Sequence, residues 1–343
     1  MTGSSKDLLV TGGCGFIGSN FIRFVLAARP TWRVHNLDAL TYSGNAENLA
    51  DLETDPRYQF TFGDINDDAL VGKLVGECDV VVHFAAESHV DRSILDARPF
   101  VQANVLGTQC VLDAVLRAGT GRFVHISTDE VYGSLPLERP DLKFTEESPI
   151  RANSPYSASK AGSDLLALSY HRTFDTDIVV TRCSNNFGPY QFPEKVIPLF
   201  VTNLIDARRV PLYGDGLNVR DWLHVDDHCE AILACLERGR AGEIYNIGGD
   251  NERSNLELTH MILEVMGKGE EMIEAVADRL GHDRRYAVDA SKIANELGWK
   301  PSRSAWPQAL ESTIRWYVDH PDWWKRIKSG AYRDYYAQQY GKR

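Results

Sequence analysis

No apolar run in this 343-residue chain approaches the roughly 20 residues that a membrane-spanning helix needs, and the opening Met-Thr-Gly-Ser-Ser-Lys lacks the apolar core of a signal peptide. A strand pattern begins at Leu8, so no targeting segment and no membrane partner are expected. Cysteine is sparse: Cys14, Cys78, Cys110, Cys183, Cys229 and Cys235 form neither a CxxC pair nor a disulfide-like framework. Most of them fall inside predicted strands or helices, where free thiols are commonly buried, and a reduced, cytoplasmic setting is expected. Positive charge is in deficit. The formal net charge of -11 argues against a nucleic-acid partner, although it leaves a local anion pocket open. Low-complexity tracts and internal repeats are also missing. What remains, 43% hydrophobic and 25% charged, is an ordinary globular composition, long enough for one large domain or two closely joined ones.

Short apolar runs alternate with amphipathic stretches through the first half. Leu8–Thr11, Arg33–Asp38, Gln59–Phe62, Val80–Phe84, Phe123–Ser127 and Ile178–Arg182 read as strands; Asn20–Ala28, Asp67–Glu77, Val101–Ala118 and Tyr156–Phe174 read as helices. Near-continuous Val and Ile runs suit strands buried on both faces of a parallel sheet, and the alternation implies right-handed βαβ units. The fold class is therefore α/β, a doubly wound parallel sheet of the Rossmann type. After Gly188 the texture changes, with Pro189, Pro193 and Pro198 and then the turn Gly214-Asp215-Gly216. Glu243–Ile247 reads as a core strand that revisits the sheet. The expected organisation is a cofactor domain over 1–188 with a returning segment near 221–248, and a smaller discontinuous α/β substrate domain over 189–220 and 249–343.

Thr11-Gly-Gly-Cys-Gly-Phe-Ile-Gly18 follows a strand and opens a helix. It satisfies GxGxxG (Gly13, Gly15, Gly18) and GxxGxxG (Gly12, Gly15, Gly18), a pattern that permits a tight turn, close approach to a pyrophosphate and close helix–strand packing. The N-terminus of the helix that follows adds unpaired N–H groups and a positive dipole end, and Phe16 and Ile17 of the motif join its glycines as cofactor candidates. Asp38 ends the next strand about 20 residues on, where a carboxylate accepts from both ribose hydroxyls and repels a 2′-phosphate. NAD is thus favoured over NADP. Asp64-Ile65 is placed to reach the adenine edge, and Phe84-Ala85-Ala86-Glu87-Ser88 to line the pyrophosphate and nicotinamide. Either could equally be a strand-end turn.

The densest cluster of chemistry lies between Ser127 and Lys160. Ser127-Thr128-Asp129-Glu130 closes a strand, and Tyr156-Ser-Ala-Ser-Lys160 opens a helix behind Pro155, a residue suited to a first turn. Tyr156 and Lys160, four apart, share a helical face, so the ammonium can lie beside the phenol and lower its pKa. An activated Tyr suits removal of a proton from an alcohol. Asp129 and Glu130 supply an acid and a base that alcohol oxidation alone does not need. Ser-Thr-Asp can also simply cap a turn, and a Tyr–Lys pair is common on helix surfaces. His224 and His228, also four apart, lack a third His or Cys ligand, so core or capping roles are expected and no metal site. Trp316-Tyr317 and Trp323-Trp324 read as packing residues.

Taken together, these motifs resemble the extended short-chain dehydrogenase/reductases, and within them most closely the dTDP-glucose 4,6-dehydratase family. The likeness runs through Thr11–Asn20, Asn36–Asn45, His83–Ser93, Ser127–Gly133, Tyr156–Lys160, Arg182–Pro198, Gly214–His228, Tyr245–Gly249 and Arg279–Asp289, with Asp129-Glu130 its most specific part. The resemblance implies NAD, tightly bound and regenerated in each turnover, and dTDP-glucose or a related nucleotide sugar as substrate. It implies Tyr156, supported by Lys160, as the base at C4, Glu130 as the base at C5, Asp129 as the acid at C6, and Thr128 as a hydrogen-bond partner of the C4 oxygen. It adds Ala39, Leu40, Thr41, Ser127 and Asn186 to the cofactor contacts. To the substrate it assigns Ser88, Asn185, Lys195, Val196, Ile197, Pro198, Leu199, Pro211, Tyr213, Arg220, Asn255, Arg279, His282 and Asp283, with Arg220 as the diphosphate clamp. A homodimer through the helices at Val101–Ala118 and Tyr156–Phe174 is implied as well. Two departures stand out: Leu280 where the family usually has Pro, and Ala103 where Thr often contacts the cofactor. A nucleotide-sugar 4-epimerase, or a dehydratase of another nucleotide sugar, is the neighbouring reading, and Asp129 with Glu130 argues against the epimerase. A silent NAD-sensing scaffold would be expected to lack one of Asp129, Glu130, Tyr156 or Lys160, and all four are present.

Overall fold

The computed structural model describes residues 5–329. The four residues before them, which belong to the segment read for a targeting signal, and residues 330–343 of the expected substrate domain lie outside the described residues. The strands are β1 (Asp7–Thr11), β2 (Arg33–Asp38), β3 (Tyr58–Phe62), β4 (Val80–His83), β5 (Arg122–Thr128), β6 (Ile178–Cys183), β7 (Asn185–Phe187), β8 (Val210–Tyr213), β9 (Val219–His224), β10 (Ile244–Ile247), β11 (Glu252–Ser254) and β12 (Ile273–Val276). The helices are α1 (Phe16–Ala28), α2 (Asp68–Gly76), α3 (Val90–Leu95), α4 (Arg98–Phe100), α5 (Thr108–Ala118), α6 (Pro155–Phe174), α7 (Val196–Ile205), α8 (Val225–Arg238), α9 (Asn255–Val265), α10 (Ser291–Leu297), α11 (Gln308–Asp319) and α12 (Pro321–Lys328).

Seven strands form one parallel sheet in the order β10-β6-β5-β4-β1-β2-β3, the doubly wound arrangement expected. Alternation within each strand explains why both faces must be covered. Leu8, Val10, Val82, Val124 and Ile126 pack toward α1 and α8, while Leu9, Val81 and Phe123 pack toward α2, α5 and α6. Each such buried side chain contributes about 1.5–3 kcal/mol, so neither face can be left open to water. The strand expected at Glu243–Ile247 is β10, which returns to pair with β6. A second core gathers Phe187, Trp222, Leu258 and Leu310 with Tyr317, Trp323 and Trp324, which gives the C-terminal aromatic pairs the packing role read from the sequence. Two short sheets, β11-β9-β7 and β12-β8, accompany it.

One expected helix is interrupted. Val101–Gly107 winds as a wide π-helical turn before α5 begins at Thr108, and Asn104 is buried within it. Its side chain donates to the Glu87 carbonyl and to Ser159 Oγ, which ties this turn to the cleft wall and to α6. The start of α6 follows from its sequence: Ser154 and Ser157 form a reciprocal capping box and Pro155 occupies the first turn.

Candidate active site

Where the C-terminal ends of the sheet strands meet the second core, a cleft of about 440 Å³ opens. The glycine turn forms its floor. Gly12 has φ +73°, and a Cβ there would sit 2.6 Å from the Ala85 nitrogen; a Cβ on Gly18 would sit 2.4 Å from the Gly12 carbonyl. Gly15 differs, since a Cβ there would meet only the Gly12 carbonyl, at 3.3 Å. Packing demands glycine at the first two positions, while at Gly15 it leaves room in the cleft. No side chain caps α1, so the first-turn N–H groups of Phe16, Ile17 and Gly18 are available to an anion. Gly12→Ala is expected to cost about 1–3 kcal/mol from the left-handed backbone alone. The contact with Ala85 adds to that, and a lowered Tm with weakened NAD binding is the readout.

Asp38 is buried, with one oxygen accepting from the Cys14 N–H (2.8 Å) and the other from the Leu40 N–H (2.7 Å). Burial raises its pKa and these two donors oppose the rise. Each oxygen keeps a lone pair for a ribose hydroxyl. Ala39, Thr41, Asp64, Ile65, Phe84, Ala85, Ala86, Ser88, Ser127 and Asn186 all line the same cleft, as does Ala103. Several buried polar atoms on its wall have no hydrogen-bond partner among the described residues: Ser127 Oγ, Asp129 Oδ2, Asn185 Oδ1, Gln191 Oε1 and Glu194 Oε1. Glycines that leave space, uncapped helix donors, a ribose-facing carboxylate and orphaned polar atoms together fit a dinucleotide with a polar substrate beside it.

The catalytic candidates meet here. Thr128, Asp129, Glu130, Tyr156 and Lys160 line one wall, with Asn185 and Lys195 close by. Thr128 closes β5 and caps the short turn that follows, accepting from the Glu130 N–H at 3.3 Å. Lys160 donates to the Ile126 carbonyl (2.8 Å), and burial brings its pKa down to about 8. The phenol of Tyr156 corrects an expectation. Burial, then the Glu130 carboxylate and Cys183, hold it well above its ordinary value, and the Thr128 hydroxyl opposes them. Lys160 gives a hydrogen bond to the β5 backbone, and in the ligand-free chain desolvation of the phenol is the leading influence. The two carboxyls differ in environment. Asp129 is fully buried and pushed well above the carboxylate range by burial, then by Glu130 and Asp221. Glu130 is half-buried, raised by burial but opposed by Arg279, Lys195 and Arg220.

The chain as a whole is similar to known proteins. A profile of the family described as GDP-mannose 4,6 dehydratase matches residues 9–307. The chain belongs to this family. Within this dehydratase family, it is 55% identical over 327 residues to a dTDP-glucose 4,6-dehydratase of Streptomyces antibioticus, covering 94% of this chain and 95% of that one. The crystal structure of DesIV, a dTDP-glucose 4,6-dehydratase from Streptomyces venezuelae with NAD and dTDP bound, superposes with TM-score 0.91 at 53% identity, over 94% of this chain and 100% of that one. A dTDP-glucose 4,6-dehydratase from Bacillus anthracis in complex with NAD gives TM-score 0.88 at 49% identity, over 94% and 100%.

The remaining substrate candidates of this family member are less uniform. Ile197 and Leu199 turn into the second core, leaving backbone rather than side chain for a ligand at the start of α7; Val196 and Pro198 share that first turn. Arg220 is buried, not a surface ion pair: it lies 4.3 Å over the Tyr286 ring and donates to the Val219 and Asp283 carbonyls. Asp283 is itself engaged, accepting from Asn153 (2.6 Å) and Tyr286 (2.5 Å). His282 bonds Asp278 (2.6 Å), Pro211 is buried in β8, and Asn255 opens α9 behind the Ser254 cap. Leu280, where the family usually has Pro, is 77% exposed. Arg279 and Tyr213 both reach Asp91 on α3, at 3.2 Å each, and Arg92 is paired with Glu194 at 2.9 Å. Sequence reading missed Asp91, Arg92 and Glu194. The only local signal was the adjacency of Glu194 to Lys195. His224 caps α8, accepting from the Asp226 N–H, and His228 is buried against Asn186 Oδ1 at 2.9 Å, the capping and core roles expected.

Proposed function

We propose that this chain is a dTDP-glucose 4,6-dehydratase, a hydro-lyase that converts dTDP-glucose to dTDP-4-keto-6-deoxyglucose with no external reductant. The observation that carries the reading is the adjacent carboxyl pair, buried Asp129 and half-buried Glu130, on the same cleft wall as Tyr156 and Lys160. An epimerase working at C4 needs no such pair. When bound, NAD accepts a hydride from C4, returns it to C6, and in its oxidised form brings a positive charge that favours the phenolate. Tyr156 takes the proton of the C4 hydroxyl while Thr128 holds that oxygen. The C4 ketone acidifies the C5 hydrogen, which Glu130 removes as a proton. Asp129, kept neutral by burial, gives its proton to the C6 hydroxyl, and one water leaves. Glu130 returns its proton to C5 as C6 is reduced. The proton gained by Tyr156 and the one lost by Asp129 are evened through solvent, so the sum is loss of one water.

Arg220, Lys195 and Arg279 act in this reading on the diphosphate, with Ser88 and Asn185 near the sugar and Asn186 near the nicotinamide. The body over 1–188 with about 221–248 carries the cofactor, and 189–220 with 249–343 the nucleotide sugar. A homodimer is supported by exposed apolar residues on the expected face, among them Val101, Leu106 and Leu165. A reduced, cytoplasmic setting is supported by the six free cysteines. No helix among the described residues is long and apolar enough to cross a membrane.

The deciding experiment is a mass spectrum of the nucleotide sugar after incubation of NAD-loaded protein with dTDP-glucose alone. Loss of one water is expected. An unchanged mass with inverted C4 would make the chain an epimerase, and an unaltered substrate would move the reading to another nucleotide sugar.

A further inference from the structure

Below Tyr156 and Lys160, the same face of α6 carries a third buried polar residue, Asp164, which the reaction as derived does not use. Residues four apart on a helix stand one above the other, so the order along this face is phenol, ammonium, carboxylate. Asp164 is completely buried. Its Oδ2 accepts from Arg182 Nε on β6 at 2.9 Å, and Arg182 is itself 2% exposed and lies 4.7 Å over the Tyr132 ring. Its Oδ1 has no hydrogen bond among the described residues and faces His125 Nε2 on β5 at 3.3 Å.

The donor chain fixes the state of that histidine. Ser163 Oγ spends its hydrogen on the Lys160 carbonyl (2.8 Å), so it can only accept from His125 Nε2, which lies 3.0 Å away. The hydrogen is therefore on Nε2 and Nδ1 is bare. Burial, with the positive charge of Lys160, keeps the ring neutral, its pKa down to about 4. His83, stacked on His125 at 5.7 Å, is likewise neutral by burial. Among the described residues the charged groups around Asp164 are thus Arg182, which is bonded to it, and Lys160, while the His125 ring that also faces it is neutral. The buried Lys160 ammonium has no carboxylate of its own. Among the described residues it hydrogen-bonds a backbone carbonyl, and Asp164 is the leading influence that opposes its desolvation, with Cys183 second.

We propose that Asp164 is a positioning residue for the reaction: from one helical turn beyond Lys160 it holds the Lys160 ammonium in its charged form and so sets the protonation balance of Tyr156. The inference rests on the reading of Tyr156 as the base at C4. Arg182 tempers the same carboxylate, so the pair sets how much negative potential reaches Lys160. A purely structural ion pair would be indifferent to which partner is removed; a pair that tunes Lys160 would not.

The test compares Asp164→Asn with Arg182→Gln, which break the same bond but leave opposite charges behind. Asp164→Asn leaves Arg182 uncompensated near Lys160. The ammonium then loses its proton at lower pH, and the basic limb of the kcat profile on dTDP-glucose moves down by about one unit or more. With the ammonium starting near 8, a one-unit fall lowers kcat about two-fold at pH 7 and about ten-fold by pH 9, while KM stays put. Arg182→Gln leaves Asp164 uncompensated and moves the same limb up. The second readout needs no substrate: ultraviolet difference titration of the Tyr156 phenolate in the NAD-loaded protein, with Tyr156→Phe as blank. It should show the phenol ionising at higher pH in Asp164→Asn and not in Arg182→Gln. Equal losses of activity with unmoved limbs, or shifts in the same direction, would overturn the proposal. If Asp164→Asn fails to fold, the upward shift in Arg182→Gln and its titration still decide. Should dTDP-glucose not be turned over at all, the titration alone separates failure of this inference from failure of the substrate assignment.

Discussion

Glu130→Gln is expected to bind NAD and dTDP-glucose normally, to oxidise C4, and to release almost no dehydrated product. The amide is close in shape to the carboxylate and keeps a hydrogen-bond acceptor, so the half-buried position on the cleft wall is preserved. What it cannot do is take a proton. A positioned general base is worth roughly a hundred- to ten-thousand-fold, and the loss in dehydration rate should fall in that range. The oxidation should survive because Tyr156 and Lys160 are untouched, and it should appear as absorbance of reduced nicotinamide that no longer decays. Hydrogen at C5 should cease to exchange with deuterated solvent. Dehydration at the normal rate, or continued C5 exchange, would assign the base elsewhere.

The same experiment probes why two adjacent carboxyls take opposite roles. Glu130 is surrounded by the fields of Arg279, Lys195 and Arg220, which favour its anion against the effect of burial. Asp129 has Arg220 and Thr128 on that side of the balance, against deeper burial and two neighbouring carboxylates. Mutual repulsion makes simultaneous ionisation unfavourable, and the less well-compensated member keeps the proton. That member is Asp129, to which the proposed reaction gives the role of protonating the leaving hydroxyl. The assignment of acid and base therefore follows from where the cations stand.

Much of this frame could be read without coordinates because its determinants are local. Runs such as Val80-Val81-Val82 and Ile178-Val179-Val180 admit little besides buried strands, and their observed ends lie within a residue or two of those expected. The glycine turn, Asp38 and the helix start behind Pro155 are likewise short-range chemistry. The interruption at Val101–Gly107 was not legible, since nothing in its composition breaks a helix; the burial of Asn104 against Glu87 and Ser159 distinguishes it. Nor were the pairings of Asp91 with Arg279 and Tyr213, or of Asp164 with Arg182 and His125, which join residues from separate elements through topology alone. The phenol of Tyr156 failed for a related reason. Helical spacing brings Lys160 to the correct face, but it does not disclose how deeply both are buried or that the ammonium bonds the Ile126 carbonyl.

Tyr156→Phe should stop the reaction one step earlier than Glu130→Gln. Phe preserves the ring that packs edge-on against Phe100 at 6.3 Å, so folding and cofactor binding should change little. Removing the hydroxyl takes away the group that, in the proposed reaction, accepts the C4 proton as hydride leaves. Desolvation already holds the phenol neutral in the ligand-free protein, so formation of the base depends on positive charge gathered at the cleft. The expected loss is again roughly a hundred- to ten-thousand-fold, in kcat rather than KM. Its signature is qualitative: no reduced nicotinamide should accumulate on mixing with dTDP-glucose, and C5 exchange should vanish as well, since no ketone forms to acidify that position. Rapid nicotinamide reduction in this variant would remove Tyr156 from the first step. Silence at both probes here, beside retained reduction in Glu130→Gln, would order the two residues along the reaction as C4 base before C5 base.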